Sequence, residues 1–433
     1  MFKVLKNLKE SWISVIAIVL LLIVQAAGDL TLPDYTSKIV NVGIQNGGIE
    51  NVAPEVIRKS EMDNMLIFTD EDDKILASYE EISKENLDSN EYEKLVKKYP
   101  TLENEALYRI KKINGSEQDE LDSLMAKPLM MLSVTRQMPK EQLDQMLETV
   151  NKKIDDMQDS ILEQAAIQEV KNEYKAIGMD TDSIQNQYII MAGLKMLGIS
   201  LIIMISAISI MCLSARVAAK LAKTLREKVF KKVLRFSNKE FSEYSTASLI
   251  TRSTNDIQQI QGLIAILFRV LVYAPIIGIG GFLRVLNQSD NSMAWIIGVA
   301  IIAILFVVAT LFIIAMPRFK KLQQLIDKLN LVAREILTGL PVIRAFNTEK
   351  KEEKRFDKAN IDLTKTNLFV NRAMSFMMPT LMLIMNGISL LIVWVGAHGI
   401  DNGTMQVGNM MAFIQYTMQI VMSFLMISMV SIM

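Results

Sequence analysis

The 433-residue sequence has a single cysteine, Cys212, and a single histidine, His398. One thiol cannot close an internal disulfide, so any region folded outside a membrane must hold together by its own core. The same scarcity excludes the usual four-ligand His/Cys zinc site. No stretch has the spacing G-x-x-x-x-G-K-[ST], the loop whose backbone amides cradle nucleotide phosphates. Net charge is also lacking, since 47 basic and 47 acidic side chains cancel.

The cancellation hides a segregation. Between Glu50 and Asp182 there are 31 acidic and 17 basic residues, a net of minus 14, which leaves plus 14 for the rest of the chain. The basic remainder also holds the long apolar runs, as cytoplasmic loops rich in Lys and Arg would produce. Six runs have the roughly 20 apolar residues needed to cross a bilayer: 12–32, 188–213, 263–283, 294–316, 373–396 and 407–433. Lys3, Lys6 and Lys9 with Val24-Gln25-Ala26 imitate a cleavable signal. Five further spans, and an apolar pattern continuing past Pro33 through Ile39, Val40 and Ile44, indicate instead a retained long helix bent at the proline.

The Lys/Arg rule puts the amino terminus in the cytoplasm, together with residues 214–260 (10 basic, 4 acidic) and 317–372 (13 basic, 7 acidic). The chain then divides into 1–44, the start and first transmembrane helix; 45–187, an extracellular insertion; and 188–433, spans 2–6 with the two cytoplasmic loops. The expected fold class is an all-α membrane protein of six transmembrane helices with long cytoplasmic extensions and a mainly helical insertion. Within the insertion, Leu143, Leu147, Val150, Ile154, Met157 and Ile161 alternate spacings of four and three, a coiled-coil-like seam that a second helix must cover. Asp70-Glu71-Asp72-Asp73 has no calcium-loop spacing and reads as a solvated face.

Both cytoplasmic loops read as helix, break, helix. Ala218, Leu221, Leu225, Val229 and Val233 carry the second span's helix outward with basic residues between them, some 22 residues or roughly 30 Å into the cytoplasm. Phe236 to Leu249 interrupts it, with Ser245 or Thr246 available to cap the next helix. In the second loop, Thr338-Gly339-Leu340-Pro341 is expected to break a basic helix that leaves the fourth span after Pro317.

Ser248-Leu249-Ile250-Thr251-Arg252-Ser253-Thr254-Asn255-Asp256 resembles the first intracellular loop of ATP-binding-cassette exporters. The run from Arg334 through Phe346, followed by Glu349, Glu353, Phe356 and Asn360, resembles the second, and Asn402 to Gly408 ahead of Ala412-Phe413 resembles the entry to the last span. The resemblance extends from the second span to the end of the sequence. It implies a permease half whose elbows are coupling helices seated on nucleotide-binding domains. Contacts to those domains would then come from Phe241, Tyr244, Ser245, Ser248, Leu337, Gly339, Leu340 and Val342. Arg252, Asp256, Arg334, Glu335 and Arg344 would tie the long helices together, against the plainer reading of solvated or interhelical ion pairs.

By the same resemblance the chain is no enzyme alone, and holds no cofactor or metal. ATP and Mg would bind a nucleotide-binding domain absent from it, and the other partners would be a second exporter half and the lipid bilayer, with no nucleic acid. Met433 falls inside an apolar run, so the sequence is expected to be a piece of a longer reading frame. Of the two charges inside apolar runs, Lys195 lies near a span end and can snorkel, while Arg269 is the candidate for lining a pathway. The methionines of the last two spans fall on all helix faces and read as gap fillers. Amphipathic drugs, lipids or peptides are the substrates the resemblance suggests. The rival reading is a non-transporting membrane sensor whose insertion binds a ligand.

Overall fold

A computed structural model describes residues 11–136, 159–237, 239–240, 244–286 and 293–432. The apolar runs become helices because lipid offers their amides no partner, so each segment must satisfy its own backbone. They are α1 (Trp12–Lys38), α7 (Thr181–Val233), α9 and α10 (Ile257–Phe268 and Ala274–Leu286), α11 (Ala294–Ala345), α12 (Glu349–Asp401) and α13 (Val407–Ile432). Together they provide the six expected spans. Only 11% of the apolar window of α7 is buried, and Met211, Phe306, Leu383 and Leu390 stand on exposed faces, as side chains meant for lipid or another subunit do. The chain is a membrane protein. Pro33 lies inside α1, and the irregularity follows it as a π-helical segment, Ile39–Gln45.

The chain forms two compact units. One comprises Val24–Ser209 and Val393–Gln415 and contains the insertion. Here the helical expectation needs an addition: a three-stranded antiparallel sheet in the order β1-β3-β2, built from β1 (Val56–Arg58), β2 (Tyr79–Ile82) and β3 (Leu107–Ile110). Strands this short and charged leave almost no periodicity to read. The other elements are α2 (Lys59–Leu66), α3 (Asp72–Ala77), α4 (Ser89–Lys98), α5 (Gly115–Arg136) and α6 (Asp159–Ile177). Met62, Met65, Ile75, Tyr79, Met125 and Val170 form one core, and Val56, Ile82, Tyr99, Leu107 and Ile177 a second. A fold without disulfides thus rests on apolar burial of its own. Of the expected coiled-coil seam, Ile161 lies in α6, and Leu143, Leu147, Val150, Ile154 and Met157 fall outside the described residues.

The insertion also buries charge. Glu61, Glu169 and Glu173 are 6%, 3% and 2% exposed. Arg58 makes a bidentate pair with Glu173 (2.9 and 2.7 Å), and Arg136 pairs with Glu61 and, at 2.7 Å, with Glu169. In the same unit α1 and α13 are joined by a polar clasp. Ser37 donates to Asn409 Oδ1 (2.7 Å), Asn41 Nδ2 donates to the same oxygen (3.1 Å), and the Gly408 amide donates to Asn41 Oδ1 (2.7 Å). Gly408 is needed there, because a Cβ would lie 2.5 Å from the Ser37 carbonyl oxygen.

The other unit comprises Met1–Ile23, Ile210–Ile392 and Tyr416–Met433. Ile18 and Leu22 of α1, Val217, Ala218 and Leu221 of α7, and Ile264 and Phe268 of α9 form its core. Both elbows belong to this unit.

Candidate functional site

α7 has 53 residues, roughly 80 Å at 1.5 Å per residue, against a hydrocarbon core of about 30 Å. α11 and α12, with 52 and 53 residues, exceed it equally. What lies at the far ends of these helices is therefore the candidate site.

The first elbow starts where Phe236 closes the last turn of α7 by donating to the Val233 carbonyl. Ser237 and Glu240 then form a reciprocal capping box: the Ser237 amide and hydroxyl donate to Glu240 Oε2 (2.9 and 3.0 Å), and the Glu240 amide donates to Ser237 Oγ (3.4 Å). These bonds, first the one from the Ser237 amide, hold the Glu240 carboxyl below its ordinary range. This pair is not among the residues singled out from sequence above, although S-x-x-E is a legible start signal. Phe241 falls outside the described residues. Ser245 caps α8 (Thr246–Thr251) by accepting from the Ser248 amide, so both residues act locally as a cap. Tyr244 stacks on Phe236 (6.1 Å between ring centres), and the Arg252 guanidinium lies over its ring at 5.0 Å. Arg252 therefore closes its own elbow and makes no ion pair among the described residues. It opens a π-helical segment, Arg252–Asp256, whose Asp256 is exposed and without an ion pair.

The second elbow is displaced from the expected break. α11 runs without interruption through Thr338-Gly339-Leu340-Pro341, and the chain reverses at Phe346–Thr348. Pro341 forfeits only the bond to the Leu337 carbonyl, a loss one helical turn can absorb, and Gly339 costs the helix propensity alone. The helix is stopped instead by Asn347 in the left-handed region (φ 53°). The Asn347 amide donates to the Arg344 carbonyl (3.3 Å) and the Thr348 amide to the Ile343 carbonyl (3.0 Å), which is a Schellman motif with asparagine in glycine's usual place.

Glu335 of α11 and Arg355 of α12 form an ion pair at 2.5 Å, and Arg355 also reaches Glu352 at 3.3 Å. Arg334 and Arg344 are exposed and carry no ion pair among the described residues. Above the reversal an apolar cleft of about 380 Å³ is lined by Ile336, Leu337, Leu340, Ile343 and Phe356, with Glu349, Glu352 and Glu353 at its edge. The outer face is apolar too: Leu337, Val342 and Phe346 are 73%, 60% and 75% exposed. Arg269 opens a third π-helical segment, Arg269–Tyr273, inside the third span, and its side chain is not among those described. Single-turn π geometry is often found at functional sites.

Residues 144–424 match the family model of the ABC transporter transmembrane region. An uncharacterised ABC transporter ATP-binding protein of Mycobacterium tuberculosis is 35% identical over 243 residues, 56% of this chain and 41% of that protein. Another, from Bacillus subtilis, is 32% identical over 233 residues, 53% and 40% of the two chains. An ATP-dependent lipid A-core flippase of Pseudomonas aeruginosa is 28% identical over 208 residues, 46% and 33%. The matched part of the chain thus spans about two fifths of the length of the first two relatives.

Proposed function

Because the chain belongs to the ABC transporter transmembrane family, we propose that it forms half of the pathway of an ATP-driven exporter and takes its motion through the two elbows. The carrying observation is the apolar tip of the second elbow. Leu337, Val342 and Phe346 stand in water at the end of a helix that far outruns the bilayer, a cost that docking onto a soluble partner would remove. That partner is a nucleotide-binding domain, which supplies ATP, Mg and the hydrolytic chemistry. Its contacts are Phe241, Tyr244, Ser245 and Ser248 in the first elbow and Leu337, Gly339, Leu340 and Val342 in the second, to which Phe346 is now added. Of Arg252, Asp256, Arg334, Glu335 and Arg344, Glu335 braces the long helices within the chain through Arg355 and Arg252 holds the first elbow through Tyr244, while Asp256, Arg334 and Arg344 stay available to the docked partner, and Arg269 borders the pathway.

A second exporter half, identical or not, completes the enclosure. The chain sits in the cell membrane with its amino terminus and both elbows cytoplasmic and 45–187 outside, as the plus six charge of each elbow loop supports. Substrates are amphipathic molecules, for which the lipid A-core flippase relative offers a lipid precedent.

The test is transport by the complete complex carrying Leu337→Asp with Phe346→Asp. Losing two desolvated apolar anchors at about 2 kcal/mol each predicts docking weaker by several hundredfold, with membrane insertion intact. Undiminished efflux would refute the reading.

A further inference from the structure

The helices α11 and α12 enclose two more clefts nearer the membrane. One, about 390 Å³, is bordered by Arg318 and Lys321 of α11 and by Asp362, Lys365, Thr366 and Phe369 of α12. The other, about 170 Å³, lies between the same helices one turn further into the span and is lined by Leu311, Phe312, Ala315, Met316, Phe319 and Met374. The first carries three cations against one carboxylate, and the second has no charged residue.

Four observations point to one kind of ligand. Arg318, Lys321, Lys365 and Asp362 have no ion pair among the described residues, so the net positive charge faces the cleft unneutralised. The Arg318 guanidinium is held over the Phe369 ring at 4.6 Å, which fixes its position without using up its N–H donors. Thr366 is buried, and its hydroxyl is turned back onto the Asp362 carbonyl (3.0 Å), which leaves the cations as the cleft's free donors. The change from apolar to basic falls where the fourth span's apolar run ends, at residue 316. A basic pocket between helices at that depth suits an acidic headgroup, with an acyl chain alongside in the apolar groove.

We propose that this double cleft is a binding site for an anionic phospholipid, distinct from any transported substrate. Its leaflet, the cytoplasmic one, rests on the orientation proposed above; the site itself does not. The phosphate is held by Arg318, Lys321 and Lys365, and the acyl chain lies along Phe312, Met316 and Met374. At about fivefold per net charge, phosphatidylglycerol is preferred over chain-matched phosphatidylcholine by roughly 25-fold.

The experiment reconstitutes the full chain in nanodiscs of the two lipids and counts retained lipid by native mass spectrometry. No ATPase or transport is required, so the result is independent of the exporter reading. Arg318→Gln with Lys321→Gln and Lys365→Gln is expected to bring the preference to parity or below, while Asp362→Asn raises it about fivefold. All four substitutions are at solvent-reached positions, and circular dichroism checks that the helices persist. Equal retention of both lipids by the unaltered chain overturns the proposal. So does displacement of the lipid by millimolar glycerol phosphate alone, which would mark a free-phosphate site. A triple variant that changes the monomer–dimer ratio but not the lipid count shows a subunit interface, and the proposal falls.

Discussion

Substituting Glu173 by alanine isolates the energetics of the insertion's buried charge. The Glu173 carboxylate accepts both guanidinium bonds and the backbone amide of Arg58 (2.9, 2.7 and 2.9 Å) and lies 3.9 Å from Arg136. Its removal leaves the partly exposed Arg58 with only Glu61, at 3.5 Å, so the loss falls in the lower part of the roughly 3–5 kcal/mol expected when a buried pair is broken. Glu61 in the same cluster should behave differently. Burial is the largest cause holding its carboxyl above the ordinary value of 4.5, and repulsion by Glu173 adds to this while Arg136 and Arg58 oppose it. Its surroundings thus favour the neutral form more than water does, so Glu61→Gln should cost less than Glu173→Ala, under about 1 kcal/mol. The sign of the pH effect follows from a folded pKa raised above the unfolded one. Glu61's contribution is fully present below 4.5 and is lost as pH rises from there through the folded value. The assay is native-state hydrogen exchange of the β1 and β3 amides in the full chain, corrected for intrinsic rates. Glu173→Ala should speed exchange by roughly a hundredfold to a thousandfold. Glu61→Gln should change it less than tenfold and flatten its dependence above pH 4.5. Exchange within fivefold of the unaltered protein for Glu173→Ala would show that the cluster is not what holds the sheet to α6.

At the second elbow, Asn347→Val forces a β-branched residue into the left-handed region at about 1–2 kcal/mol, so protease cleavage between 346 and 349 should quicken roughly five- to thirtyfold. Asn347→Gly should leave it unchanged or slower. Gly408→Ala puts a Cβ 2.5 Å from the Ser37 carbonyl oxygen, and thermal unfolding should register a loss of about 1–3 kcal/mol. Gly193→Ala, where a Cβ meets nothing within 4 Å, is the control and should not destabilise.

Reading the sequence succeeded where the signal was local and repeated. The outward continuation of the second span was visible in Ala218, Leu221 and Leu225, and α7 runs to Val233. A cap at Ser245 or Thr246 was visible because a hydroxyl just before a helix can accept from a free first-turn amide, and the structure uses Ser245. The reading failed at Gly339-Leu340-Pro341, because breaker residues state a cost and not an outcome. The helix absorbs that cost, and a stop signal six residues beyond Pro341, at Asn347, decides the reversal. β1, β2 and β3 were invisible because three or four residues cannot show a period.

Hydropathy, charge placement and short motifs were enough for six spans, a charged insertion and the family, since each rests on residues close together in the chain and on what lipid permits any backbone to do. The clasp joining Ser37 and Asn41 to Asn409, the pairing of Arg58 with Glu173 and the basic cleft between α11 and α12 were decided by tertiary structure alone. Their partners stand up to 372 residues apart, and no local periodicity records which distant side chain will arrive.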